Sequence, residues 1–390
     1  MRTYYCDHSA STPMYLKVID TVSELMKLHY ANPGSLHRAG TDAMKLMERA
    51  RVSIAERFGA TPSEVVFTSG GTESNNLAIQ GSLLSTTRPT KHIVTTAIEH
   101  ASVYETARQL QGHGIEVTFV PVDSFGKVNV DHIERAIRKD TVLISVMHVN
   151  NEVGTIQPIE QIAKAVASHP HVRFHVDGVQ AIGKVPFVWK EAGVHIYTGS
   201  AHKLGGPKGV GFLLVKEGIH LSSILNGGGQ ESGVRSGTPN VPGIVGTSQA
   251  VRLTMESMAL RREKMYELRR KLIHKIENIP ELIINGYGME ATEDQVAPHI
   301  VNLSYPGMRP EVLVHTLEEL GVFVSTQSAC SSKSLKPSRV LLAMGKGEDC
   351  ATGSIRISFG DELNEQDIEE IAVRLQMAVT KLKPLERSRR

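Results

Sequence analysis

Between residues 41 and 58 apolar side chains recur at Leu46, Ala50, Ile54 and Phe58, about one per helical turn, and Gly59 follows as a stop signal. The spacing predicts an amphipathic helix with one face on a core. The pattern then changes period. Val65-Val66-Phe67 is a short apolar run, 68–72 is a small-residue turn with paired glycines, and 73–80 opens another helix. Further apolar runs at 92–95, 116–120, 142–146 and 172–176 are separated by helix-length polar or amphipathic segments, which predicts a mostly parallel sheet covered by helices. The runs at 195–198 and 209–215 are joined by a loop too short for a crossover helix, so one antiparallel pair is expected and the sheet is mixed.

From Asn240, an N-cap candidate, with Pro242 in the first turn, a helical pattern runs toward Asn278 with Met265, Leu268, Leu272 and Ile276 on one face. It reads as one long connecting helix. Beyond it, strands are expected at 299–304 and 355–359 and helices at 311–320 and 365–382. The resulting organisation is α/β: a large domain over 13–255, and a smaller α+β domain made of 1–12 and 256–390.

Composition narrows the function class. The chain has 390 residues, 41% of them hydrophobic, enough for a large core and too much for a small binding module. With 43 Lys and Arg against 41 Asp and Glu, nothing favours direct nucleic-acid binding or an acidic membrane surface. No secretory leader and no run of ~20 apolar residues is present, so a cytoplasmic protein is expected. Cys6, Cys330 and Cys350 are odd in number and widely spaced, which argues against a disulfide framework or a structural zinc site.

Three features point to a cofactor. Gly70-Gly71-Thr72 lies where a strand delivers the chain to a helix N-terminus, where free backbone N–H groups favour an anion such as phosphate. Such a turn also serves as a plain connection. Asp177 lies at the end of an expected strand, at the edge where open α/β sheets place ligands, although it also fits a helix N-cap. Lys203 follows the next strand in a glycine-rich loop, where desolvation could make its amine a nucleophile, although a loop lysine is more often solvated. Phosphate turn, strand-end Asp and loop Lys stand in the order used by pyridoxal 5'-phosphate enzymes, in which an Asp pairs with the ring nitrogen and a Lys holds the aldehyde.

Here the chain resembles the cysteine desulfurases of the NifS/IscS family, which are class V aminotransferase-like, fold type I enzymes. Matching motifs run from Asp7-His8 through Asn32-Pro33-Gly34-Ser35-Leu36-His37, residues 68–76, 148–154, 175–180, the lysine loop, 227–238, and Ser328-Ala329-Cys330 to Arg356. The resemblance implies Lys203 as the cofactor lysine, Asp177 on the ring nitrogen and His100 stacked on the ring and moving protons. It also places Asn151 and Gln180 near the ring oxygen, Gly71, Thr72, Ser200 and His202 around the phosphate, and Thr238 of a neighbouring subunit beside them. A homodimer follows. Arg356 would clamp the carboxylate of L-cysteine, with Asn32 and Arg235 at the entrance or the subunit contact. Cys330, in a hydroxyl-rich loop at about 325–336, would take the substrate sulfur as a persulfide, leaving alanine, with Lys203 as local proton carrier. A sulfur-acceptor protein must then follow, an iron-sulfur scaffold or a tRNA or thiamine sulfurtransferase.

Some positions depart from the family pattern: Cys6 for an aliphatic residue, Ala201 for glycine, Ser232 for a basic residue and Gln327 for a small one. None removes a chemical group. The short basic end at 381–390 lacks the longer extension with which family members grip iron-sulfur scaffolds. Competing readings are another pyridoxal-phosphate reaction, which needs no Cys330, and a noncatalytic sulfur-relay scaffold, against which the intact Lys203, Asp177 and Cys330 speak.

Overall fold

The computed structural model describes residues 2–326 and 336–386. After a two-residue strand β1 (Tyr4–Tyr5) the chain builds a seven-stranded sheet from β2 (Val65–Thr68), β3 (His92–Thr96), β4 (Glu116–Val120), β5 (Thr141–Met147), β6 (Arg173–Asp177), β7 (Ile196–Ser200) and β8 (Gly211–Val215). Their order is β2-β8-β7-β6-β5-β3-β4. The five strands from β7 to β4 are parallel. One antiparallel pair was expected; β8 runs antiparallel to both its neighbours, to β7 because the short return between them holds only one 3-10 turn (Ala201–Lys203), and to β2, which closes the edge.

The helices α1 (Leu16–Leu28), α2 (Arg38–Phe58), α3 (Gly71–Leu84), α4 (Ala101–Gly112), α5 (Val130–Ala136), α6 (Ile159–Ala167) and α7 (Val241–Glu256) surround this sheet. The side chains of each strand alternate between its two faces. On one face Val94, Ile144, Val146, Phe174 and Phe212 pack with Ile54 and Phe58 of α2, Ile162 of α6 and Val251 of α7. On the other, Leu143, Ile93, Ile196 and Leu213 meet Leu77, Ala78, Ile79 and Leu83 of α3.

The long helix expected toward Asn278 is two helices, α7 and α8 (Met258–Ile276). Ser257 divides them: its hydroxyl bonds the Leu253 carbonyl at 3.0 Å and its backbone leaves helical geometry. Then come β9 (Ile283–Asn285), β10 (Ile300–Ser304), α9 (Pro310–Glu319), β11 (Val322–Phe323), α10 (Arg339–Ala343), α11 (Glu348–Thr352), β12 (Ser354–Ser358) and α12 (Glu365–Glu386). β12, β10 and β9 form an antiparallel sheet, and β1 pairs in parallel with β11. A separate core joins α8, α9 and α12 to this sheet through Leu272, Leu313, Leu375, Leu303 and Ile357, together with Tyr4 and Cys6 from the start of the chain. No described helix is long and apolar enough to cross a membrane.

Candidate active site

The ends of β5, β6 and β7, the first turn of α3, residues 9–10 and the β12 side chain Arg356 enclose a cavity of about 150 Å³. It brings together Gly71, Thr72, His100, Asn151, Asp177, Gln180, Ser200, His202, Lys203 and Arg356.

One end suits a phosphate. The N-cap of α3 is Gly70, at φ 156°, so no side chain covers the free N–H groups of the first turn. A Cβ on Gly71 would lie 3.0 Å from Val179 Cγ2 and 3.5 Å from Ser200 Cβ, so glycine keeps the cradle open. The buried Ser200 Oγ has no partner within the protein, a donor left for a ligand. Burial, with Lys203 and Lys208 nearby, pulls His202 down to about 4, so its imidazole is neutral around pH 7. Arg235 reaches the Glu73 carboxylate at 2.7 Å and ties the 227–238 segment to the same helix turn.

The middle suits a protonated heteroaromatic ring. Asp177, the last residue of β6, is 5% exposed and accepts from the Val179 N–H at 3.0 Å and from Asn75 Nδ2 at 2.8 Å. Two donors fix its orientation toward the cavity. Asn75 Nδ2 also meets Ser102 Oγ at 2.8 Å, and Ser102 meets His100 Nδ1 at 2.8 Å. Burial above all holds His100 below its ordinary value. Gln180 donates to the Ser9 carbonyl at 2.9 Å and faces His299 Nε2 at 3.3 Å. Lys203 Nζ donates to the carbonyls of Ser9 and, at 2.7 Å, Ala10, while its own carbonyl is held by Lys184 Nζ at 3.1 Å and Thr12 Oγ1 at 3.2 Å. The backbone that presents Lys203 is thus fixed from behind. Anion cradle, carboxylate and amine-bearing loop match the three ends of pyridoxal phosphate.

Arg356 closes the third side. A solvated sheet-edge arginine is ruled out by its 1% exposure. Its Nη1 donates to the Asn151 carbonyl at 2.7 Å, its Nη2 to Asp7 Oδ1 at 3.0 Å, and its buried Nε has no partner in the protein. The remaining N–H groups are enough for a paired contact with a ligand carboxylate.

Asn32 and Thr238 do not line this cavity. Asn32 Oδ1 caps the Gly34 N–H at 2.9 Å and lines a separate groove of about 630 Å³ with Glu231, Ser232 and Pro239, next to Thr238 in sequence. There Glu231 takes both Arg51 Nη atoms and the Phe67 N–H, each at 2.8 Å, and Glu231 and Ser232 are the two non-glycine residues with left-handed backbone among those described. Cys330 and Gln327 lie outside the described residues. Cys6 and Cys350 are free thiols, and burial pushes Cys6 up to about 12, which makes it inert. Sequence reasoning missed Asn75, Ser102 and His299. No sequence signal marks Asn75: Ser74 and Asn75 are consecutive polar residues of α3, and that both are buried is apparent only in the fold.

Residues 4–371 match the family model described as aminotransferase class-V. The chain is 39% identical over 385 residues to a protein of Dictyoglomus turgidum named cysteine desulfurase IscS, covering 98% of this chain and 96% of that one. It is 40% identical over 368 residues to a Clostridium botulinum protein of the same name, covering 94% and 92%. A solved structure described as a NifS-like protein superposes with a TM-score of 0.90 at 36% identity, over 98% of this chain and all of that one. Another, described as SspA in complex with cysteine, gives a TM-score of 0.80 at 33% identity, over 92% and 99%.

Proposed function

Because the chain belongs to the class-V aminotransferase family and, within it, to the cysteine desulfurases, we propose that the cavity holds its cofactor through Lys203 and Asp177 and that Cys330 receives the sulfur. The enzyme is pyridoxal-phosphate dependent and acts on L-cysteine. Bound there, the cofactor would supply an aldehyde reactive toward amines and a cationic ring able to accept electron density. The α3 turn, Ser200 and His202 would hold the phosphate, Asp177 the ring nitrogen, and Gln180 and Asn151 the ring oxygen. Arg356 orients the substrate by its carboxylate, which fixes the Cα–H bond that Lys203 addresses as proton carrier. The Cys330 thiolate attacks the substrate sulfur: an S–S bond forms, the Cβ–S bond breaks, and its electron pair stays on the carbon skeleton. Protonation of Cβ and return of a proton from Lys203 to Cα complete alanine, and one sulfur has moved from cysteine to Cys330.

The observation that carries this reading is the convergence of Lys203, Asp177, His100 and Arg356 on one cavity. The stems of the cysteine segment are anchored beside it. Ser325 exchanges backbone hydrogen bonds with Arg356 at 3.2 and 2.7 Å. Ser338 donates to Glu152 Oε2 at 2.6 Å, and Arg339 donates to the carbonyls of Ala97 and Glu99, next to His100.

Residues 13–255 form the cofactor domain in this reading, and 1–12 with 256–390 the small domain; the two separate cores support that division. In this reading the protein is a cytoplasmic homodimer; the groove at Asn32 and the exposed Met26, Leu28, Tyr30 and Leu36 around it in sequence support the dimer, with Thr238 serving the partner's site. The sulfur acceptor is a second protein, an iron-sulfur scaffold or a tRNA or thiamine sulfurtransferase, which trapping from the persulfidated enzyme would identify. The decisive test is Cys330→Ala. Alanine formation from cysteine should vanish while the visible band of the bound cofactor persists; undiminished alanine formation refutes the assignment. Lys203→Ala should lose both.

A further inference from the structure

Behind His100 the polar groups form one connected chain. Asn75 Nδ2 lies 2.8 Å from Asp177 Oδ2 and 2.8 Å from Ser102 Oγ. A carboxylate only accepts, so the end of the Asn75 amide that faces Asp177 is the NH2, and its second hydrogen goes to Ser102 Oγ. With that oxygen already accepting, the Ser102 proton is directed to its other neighbour, His100 Nδ1, at 2.8 Å. The Ser102 backbone N–H reaches the same nitrogen at 3.2 Å, since His100 is the N-cap of α4. Two donors therefore converge on Nδ1.

We propose that Asn75 and Ser102 are positioning residues that link Asp177 to His100 and hold the imidazole as its Nε2–H tautomer. This rests on the reading that His100 works beside the cofactor, and it sharpens that role. Nε2 is left as the ring nitrogen for the cavity, and it carries a hydrogen rather than a lone pair. His100 is then a hydrogen-bond donor to the bound reactants, not a base toward Cα; that work stays with Lys203.

The same geometry resists a second proton. It would have to enter at Nδ1, where the hydroxyl can turn away but the main-chain N–H cannot. Burial and the helix N-terminus act in the same sense. Of the charged and titratable groups facing the ring, Asp177 favours the imidazolium, while Lys203, Arg339 and Arg356 oppose it, and a charge on His100 would in turn oppose one on His202.

The test is ¹⁵N NMR of the holoenzyme labelled on histidine ring nitrogens, with His100→Gln identifying the His100 signals. The expected result is a protonated Nε2 and a bare Nδ1 throughout the neutral range. Ser102→Ala should retain the cofactor band yet mix the tautomers. It should also raise the pH at which the ring takes its second proton, and with it the acid limb of the kcat profile, by roughly 0.5–1 unit. Ser102→Thr, which keeps the hydroxyl, should restore both. A wild-type ring protonated on Nδ1, or a Ser102→Ala enzyme with unchanged tautomer and pH profile, overturns the proposal. The underlying reading fails separately, through a His100→Gln enzyme that keeps full activity.

Discussion

Replacing Arg356 should separate substrate binding from cofactor binding. Two of its N–H groups are engaged by Asn151 and Asp7, at 2.7 and 3.0 Å, and a guanidinium has five. Asp7 offsets the buried charge, and the remaining donors are those that would make the paired contact with a substrate carboxylate. A hydrogen bond to a charged group contributes about 1.5–3 kcal/mol, so losing two costs roughly 3–6 kcal/mol, a fall of about a hundred- to twenty-thousand-fold in kcat/KM. Arg356→Gln should show this loss in full. Arg356→Lys keeps the charge without the planar fork and should fall between. Alanine formation across a range of cysteine concentrations measures both, with the visible band of the cofactor as the control for an intact site. If both variants hold full cofactor and keep kcat/KM within about threefold of the parent, Arg356 is not the carboxylate clamp.

Two further predictions concern the sheet beneath the cavity. Gly178 follows Asp177, and a Cβ there would lie 2.1 Å from Cζ of the buried Tyr197, itself stacked on Phe187 at 4.1 Å; Gly178→Ala should cost roughly 1–3 kcal/mol and lower the melting temperature, and an unshifted melt would show that the ring can move aside. Burial pulls His148 down to about 4 and His175 to about 3, both below the ordinary value of about 6.5 that the unfolded chain shows. Their contribution is therefore complete above about pH 6.5 and is lost as the pH falls toward the folded values, up to about 3 kcal/mol for His148 alone. Denaturant midpoints should drop across that window and drop less in His148→Gln; equal slopes for the two proteins would contradict this account.

Where the sequence carried a regular period, the structure follows it. The four-residue spacing from Leu46 to Phe58 falls on α2, and the apolar runs lie on β2 to β8 within a residue or two. The break at Ser257 was hidden because the apolar face continues through it, and only a local side-chain-to-backbone bond ends α7. β1, β9 and β11 have two or three residues each, too short for any alternation to register. The site divides in the same way. Lys203 and Asp177 were legible from strand ends, where ligands gather in such sheets. The family resemblance supplied Arg356. Asn75 and Ser102 were not legible at all, because a polar residue inside a helix acquires meaning only from what tertiary packing sets against it.

The first ten residues have a further consequence for how the protein is made. Ser9 and Ala10 offer the carbonyls that receive Lys203, and Asp7 faces Arg356, its partner 349 positions away in sequence. This segment is held by late partners: β1 pairs with β11, and the His8 N–H bonds the Ser358 carbonyl at 3.1 Å. A ribosome adding about 5–20 residues per second delivers those partners many seconds after the segment itself emerges. Until then Lys203 has no complete pocket, so a nascent chain can build the seven-stranded sheet and still be unable to seat the groups that would make it reactive. Long-range closure of this kind is slow, and it orders maturation: chemistry becomes possible only once the last strand is home.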